Sequence, residues 1–159
     1  RFERLIRVPD WPARMAGEDR QDSTDSAHVS NPAIINGRGF RIRFSSEDGY
    51  LRAHVFDGID SQQVSIAMWT LLGEQCLAVG ANRLLVLEEL QDTVEIGDIV
   101  PIIDAMERSG LAAVRIAFVE LVNELDGDEL VEILCRERGI LGRTFNDEGD
   151  ARRWLLYGD

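Results

Sequence analysis

A mixed, mostly parallel α/β domain is predicted for residues 38–159, and three observations predict it. Residues 40–44 and 50–56 alternate apolar and polar at period two across an Asp48-Gly49 turn, the pattern of an antiparallel hairpin. Residues 83–87 and 113–119 are near-continuous apolar runs, suited to strands buried on both faces. Between the later strands lie segments of helical period with capping residues before them and glycine after them. The expected order is β-β-α-β-α-β-α-β-α: a five-stranded sheet opening with an antiparallel hairpin, and about four helices.

The elements follow in order. Phe40-Arg41-Ile42-Arg43-Phe44 offers one apolar face, and residues 50–56 return beside it. Asp57-Gly58 breaks the second strand. Asp60 or Ser61 caps the first helix, with Gln63 completing a capping box if Asp60 is the cap. This helix runs to Val79, turns Val64, Met68, Leu71, Leu72, Cys76 and Val79 inward, and stops at Gly80. Residues 83–87 form the central strand and 88–97 a polar loop. Asp98 is expected to cap the second helix, placing Pro101 in the first turn, where a missing N–H is harmless. Its inward face is Ile99, Ile102, Ile103 and Met106, and Ser109-Gly110 ends it. After the strand at 113–119, a third helix starts at Asp126 or Asp128 and closes at Gly139. Residues 140–145 form the last strand, and 148–156 a terminal helix with Ala151, Trp154 and Leu155 inward.

Residues 1–37 read differently, as an N-terminal extension. Residues 17–31 hold almost nothing to bury and are expected to be a linker or disordered. Phe2, Leu5, Ile6, Val8 and Trp11 make a short apolar arm. Successive right-handed crossovers would place the helices mainly on one side of the sheet, whose strands are apolar on both. The arm is therefore expected to pack on its own sheet or to mediate a homodimer.

Charge narrows the function classes. The net charge of −12 repels phosphate backbones and anionic lipid, which argues against nucleic acid and membrane surfaces. It favours a protein partner with a basic surface, or self-association. All basic residues are Arg, so Schiff-base and phosphate-loop lysines are excluded. Cys76 and Cys135 lack metal-type spacing and read as buried free thiols of a reducing, cytoplasmic compartment. No run is long and apolar enough for a membrane span. The start lacks a signal-peptide core and an initiator Met, so the chain is expected to begin inside a longer reading frame.

Taken together, Leu84-Leu85-Val86-Leu87-Glu88-Glu89, the capped helix after it, Val114-Arg115-Ile116-Ala117-Phe118-Val119, Arg138-Gly139-Ile140 and Ala151-Arg152-Arg153-Trp154-Leu155 resemble bacterial STAS-like proteins. That superfamily includes the anti-sigma-factor antagonists and is similar in fold to CRAL-TRIO lipid-binding domains. The resemblance covers residues 38–158 and rests on packing motifs. It implies a regulatory or protein-interaction module, with lipid-like ligand binding as the alternative. The antagonists carry a phosphorylatable serine in a turn. The matching stretch here, Leu90 to Asp98, holds only Thr93, flanked by Asp92 and Glu95, which oppose added phosphate.

The most informative constellation is acidic. Loops after the strand carboxyl ends share one rim in an open α/β sheet, where ligands usually bind. The rim residues here are Asp57, Asp60, Glu88, Glu89, Asp92, Thr93, Glu120 and Glu124, with Asp126, Asn146 and Asp147 beside them. They are candidates for binding a partner or small ligand, or for a metal-dependent hydrolase, since hard cations want several such oxygens. No calcium-loop spacing, metal-ligand set, cofactor motif or catalytic set is present in the sequence. Gly37-Arg38-Gly39 precedes a strand and does not fit the dinucleotide fingerprint. His54 reads as a partly exposed strand residue, Arg41, Arg43 and Arg52 as the solvent face of the hairpin, and Trp69 as core.

Overall fold

The structure, a computed structural model, describes residues 33–123 and 128–158. The arm at 2–11, the linker at 17–31, Glu124 and Asp126 lie outside these described residues. Among the described residues the chain forms one six-stranded sheet with strand order following sequence order. The strands are β1 (Ala33–Asn36), β2 (Arg41–Glu47), β3 (Tyr50–Phe56), β4 (Arg83–Glu88), β5 (Arg115–Glu120) and β6 (Gly142–Phe145). β1, β2 and β3 are antiparallel neighbours, and β3 to β6 run parallel. The α/β class and mixed, mostly parallel sheet therefore stand. The expected count of five strands is corrected by β1, which lies in the segment read as extension. β1 is only four residues long and buries only Ile35, too little for a period-two signal.

Four α-helices accompany the sheet: α1 (Gln62–Val79), α2 (Ile99–Arg108), α3 (Asp128–Glu137) and α4 (Glu148–Tyr157). Ser61, rather than Asp60, caps α1, accepting from the Val64 N–H at 3.1 Å. Gly80 ends it in the left-handed region at φ 70°. The Ala81 N–H reaches the Cys76 carbonyl at 2.9 Å, satisfying a carbonyl the helix leaves open. The inward face of α1 is shifted from expectation. Ser65 and Gln75 are buried, Trp69 is buried as expected, and Val64 and Leu71 are half-buried at the margins of the stripe. Asp98 makes no side-chain capping bond to α2, because a 3-10 turn over Ile96–Asp98 leads directly into the helix.

α1, α2 and α3 cover one face of the sheet. Their Trp69, Ile102, Met106 and Cys135 look onto Ile116 and Phe118 of β5. α4 packs on β5, β4 and β6, against the opposite face. Its Trp154 meets Phe145 at 5.6 Å between ring centroids, and the Arg115 guanidinium lies 4.1 Å over the Trp154 ring. Arg52 of β3 joins Glu148 by two hydrogen bonds of 2.6 and 3.2 Å. The second apolar face over β4–β6 is covered by the terminal helix. β4 is consequently buried on both sides, with Leu84 and Val86 under the helix layer and Leu85 and Leu87 under α4. Each such side chain contributes about 1.5–3 kcal/mol by leaving water.

Candidate functional site

The parity of the parallel strands sets the site. Alternate residues of a strand share a face. Glu88 ends β4 on the face of Leu84 and Val86, and Glu120 ends β5 on the face of Ile116 and Phe118. The two are register partners, Glu88↔Glu120. Both carboxyls therefore point under the helix layer at the carboxyl edge of the sheet.

Asp60 approaches from the next strand along. A parallel bridge, Ile59↔Gln91, zips the loop after β3 to the loop after β4. It is closed by Asp60 N–H to the Gln91 carbonyl at 2.7 Å and Gln91 N–H to the Gly58 carbonyl at 3.0 Å. Asp57 and Asp92 flank it in the left-handed region, at φ 63° and 64°. One Asp60 oxygen, Oδ1, accepts from the Ser61 N–H at 2.8 Å and the Ser65 hydroxyl at 2.7 Å. Glu120 is held equally firmly, its Oε1 accepting from the Val122 and Asn123 N–H groups at 3.1 Å each. The Asn123 amide then donates to the Leu90 and Asp92 carbonyls at 3.1 and 2.9 Å, tying the β5 loop to the β4 loop.

Glu88 is 4% exposed. Burial first, then the charges of Asp60 and Glu120, push its carboxyl well above the ordinary carboxylate range. Asp60 and Glu120 are raised in the same direction by burial, opposed by the hydrogen bonds each accepts. As the most buried of the three, Glu88 is the carboxyl pushed furthest toward its neutral form.

The cluster stands at one end of a cavity of about 180 Å³, partly open to solvent and lined by α1, α2, α3, β5 and β6. Its walls are mainly apolar, including Trp69, Ile103, Met106 and Phe118. The Trp69 and Phe118 rings lie 6.0 Å apart. Gly142 leaves room in the floor, since a Cβ there would meet nothing nearer than 3.9 Å. At the far end, Glu132 accepts from the Thr144 N–H and hydroxyl, both at 2.9 Å. Cys135 also lines the wall, and burial pushes its thiol up to about 11, so it is a poor nucleophile.

Of the sequence-derived rim, Asp60, Glu88, Thr93 and Glu120 reach this cavity. Asp92 is exposed on the loop and contributes its backbone carbonyl. Asp57 and Glu89 are not part of the cluster. Asp57 pairs with Arg41 at 3.6 Å, and Glu89 with His54 Nε2 at 2.7 Å. Asp147 serves as the cap of α4, accepting from the Asp150 N–H at 2.9 Å. Ser65 and Asn123 belong to the site and were not singled out by sequence; Ser65 reads as an ordinary helix residue five positions after Asp60, and the contacts of Asn123 with the β4 loop are non-local. Among the described residues, no three His, Cys, Asp or Glu side chains are grouped to hold a metal ion, and no helix is long and apolar enough to cross a membrane. No family model matches the chain, and no curated protein or solved structure matches it.

Proposed function

We propose that the chain is a non-catalytic module that binds a small molecule between its helix layer and its sheet. The observation that carries this reading is the cavity itself. It has apolar walls under the helix layer and a small set of polar groups at one end, at the carboxyl ends of β4 and β5. Its volume of about 180 Å³ is that of a single-ring ligand; a cavity of roughly 150 Å³ is enough for benzene. Occupancy would brace α2 and α3 against β5 and β6, so a ligand would change how firmly these helices sit. Native mass spectrometry and thermal shift with a panel of single-ring compounds test the reading. Gly142→Val serves as the blocked control. Saturable binding to the wild type that the control loses is expected. Equal response of both proteins would remove the proposal.

A second reading, the protein-interaction module implied by the STAS-like resemblance, is favoured by one observation. Five apolar side chains, Ile59, Ile96, Val100, Leu121 and Val122, are exposed at the same edge of the sheet, amid Asp92, Glu95 and Asp98. Acids between apolar anchors suit a basic amphipathic partner better than a second copy of this chain. Titration with a basic amphipathic peptide should give salt-sensitive binding that Ile59→Asp and Leu121→Asp abolish. Binding indifferent to both substitutions would count against it.

A further inference from the structure

Building on the reading of the cavity as a ligand site, we infer that its ligand is a small amphiphilic amine, with its ammonium group against Asp60, Glu88 and Glu120 and its apolar body against the packed Trp69–Phe118 pair. The argument begins with charge. Asp60, Glu88 and Glu120 all line one end of the cavity, so that end is acidic. The one Arg on the wall, Arg143, carries its guanidinium over the Phe145 ring at 5.4 Å. Residue 143 pairs with Ala117, on the sheet face away from the helix layer. Apart from Arg143, no described residue lining the cavity carries a positive charge. A fatty acid, phosphate or other anion would meet like charge from Asp60, Glu88 and Glu120.

Hydrogen-bond inventory points the same way. One oxygen each of Asp60 and Glu120 is already filled by protein donors. The remaining carboxyl oxygens are acceptors, and an ammonium brings three donors. The ring faces of Trp69 and Phe118 add attraction for a cation that a hydroxyl or carboxylate lacks. Away from the cluster, Thr144 donates twice to Glu132 Oε1, holding that carboxylate against β6.

Proton balance gives an independent signature. The titratable groups facing Glu88 are Asp60 before α1 and Glu120 at the end of β5; Asp92 after β4 acts on Asp60. An ammonium placed among them favours their ionised forms. Glu88 then gives its proton to solvent as the amine binds, so binding releases up to one proton.

The test uses three probes with the same ring: 2-phenylethylamine, 2-phenylethanol and 3-phenylpropionate. Calorimetry on the full chain, in two buffers of different ionisation enthalpy, reads both affinity and proton release. The amine should bind at least about tenfold more tightly than the alcohol, as a charge-assisted hydrogen bond is worth, and the carboxylate should not bind. Glu120→Gln should weaken the amine at least about tenfold, with an unchanged urea-unfolding transition reporting that the variant is folded. Alcohol or carboxylate binding as tightly as the amine would overturn the amine assignment while the cavity reading stands. If none of the probes binds the wild type differently from Gly142→Val, both fall. Amine binding with no proton released would also overturn the placement against Glu88.

Discussion

Replacing Glu88 with glutamine isolates its proton. Glu88 is 4% exposed, and burial is the largest cause of its raised carboxyl. A carboxyl raised in the folded state binds more protons folded than unfolded above its unfolded value. Its stabilising contribution is complete below that value and is lost as pH rises through the folded one. For one proton the limiting slope is about 1.4 kcal/mol per pH unit. Glutamine has no proton to lose. Variant minus wild-type stability should therefore grow as pH rises, by up to that slope, with the variant the more stable protein at the alkaline end. Equilibrium urea unfolding of both proteins, from about pH 5.5 to about pH 8, measures this difference. Subtraction cancels the growing self-repulsion of a chain at net charge −12. It also cancels Asp147 and Glu148, whose carboxyls are lowered by hydrogen bonds from Asp150 and Arg52 and whose contributions vanish toward acid instead. Parallel curves for the two proteins would refute the protonated Glu88, as would a variant weaker by the same amount at every pH.

Other substitutions probe the frame around the site. Gly73→Ala should destabilise despite better helix propensity, worth about 1 kcal/mol. The new Cβ would lie 2.5 Å from Ser109 Cβ and 2.6 Å from its carbonyl oxygen, forcing α1 from the end of α2. Overpacking of that kind costs about 1–3 kcal/mol, read by urea unfolding, and a gain in stability would deny the close approach. Gly142→Ala meets only ordinary contacts at 3.9 and 4.0 Å, so it should raise stability by about 0.4–1 kcal/mol through the unfolded chain. A calorimetric melting temperature below wild type would contradict this. Cys76 and Cys135, pushed by burial up to about 12 and about 11, should resist an aromatic disulfide reagent in the native protein. Both should react in urea; rapid native labelling of either would show an open path to the core.

Much of the fold was legible because its signals are local. Ile42 and Phe44 alternate with arginines, so β2 shows its buried face directly. Leu84 to Leu87 is apolar without alternation, and β4 is indeed covered twice. β1 escaped because pairing with β2 through backbone bonds asks little of side chains. At the site, Glu88 and Glu120 were visible as acids in the right loops. Strand parity carried a stronger signal: positions 84, 86 and 88, and 116, 118 and 120, share the face under the helices. That distinguishes them from Glu89, which falls on the other side with His54. What could not be read was the loop register. The Ile59↔Gln91 bridge and the Asn123 crosslink join segments far apart in the chain. Their geometry decides which acids meet.

Because every strand pairs with its predecessor, the sheet has no interleaved strands. Cutting the chain in the crossover before β4 or before β5 yields two contiguous part-sheets, each internally paired, and one seam between them. A break in the Ser109-Gly110 turn puts β1 to β4 in one fragment and β5, β6 and α4 in the other. The seam is then the β4–β5 ladder, which carries the Glu88↔Glu120 pairing and one wall of the cavity. Reassembly of two such fragments would rebuild the carboxyl cluster and the cavity in the same event, so a ligand for the cavity would act as an adhesive between the halves.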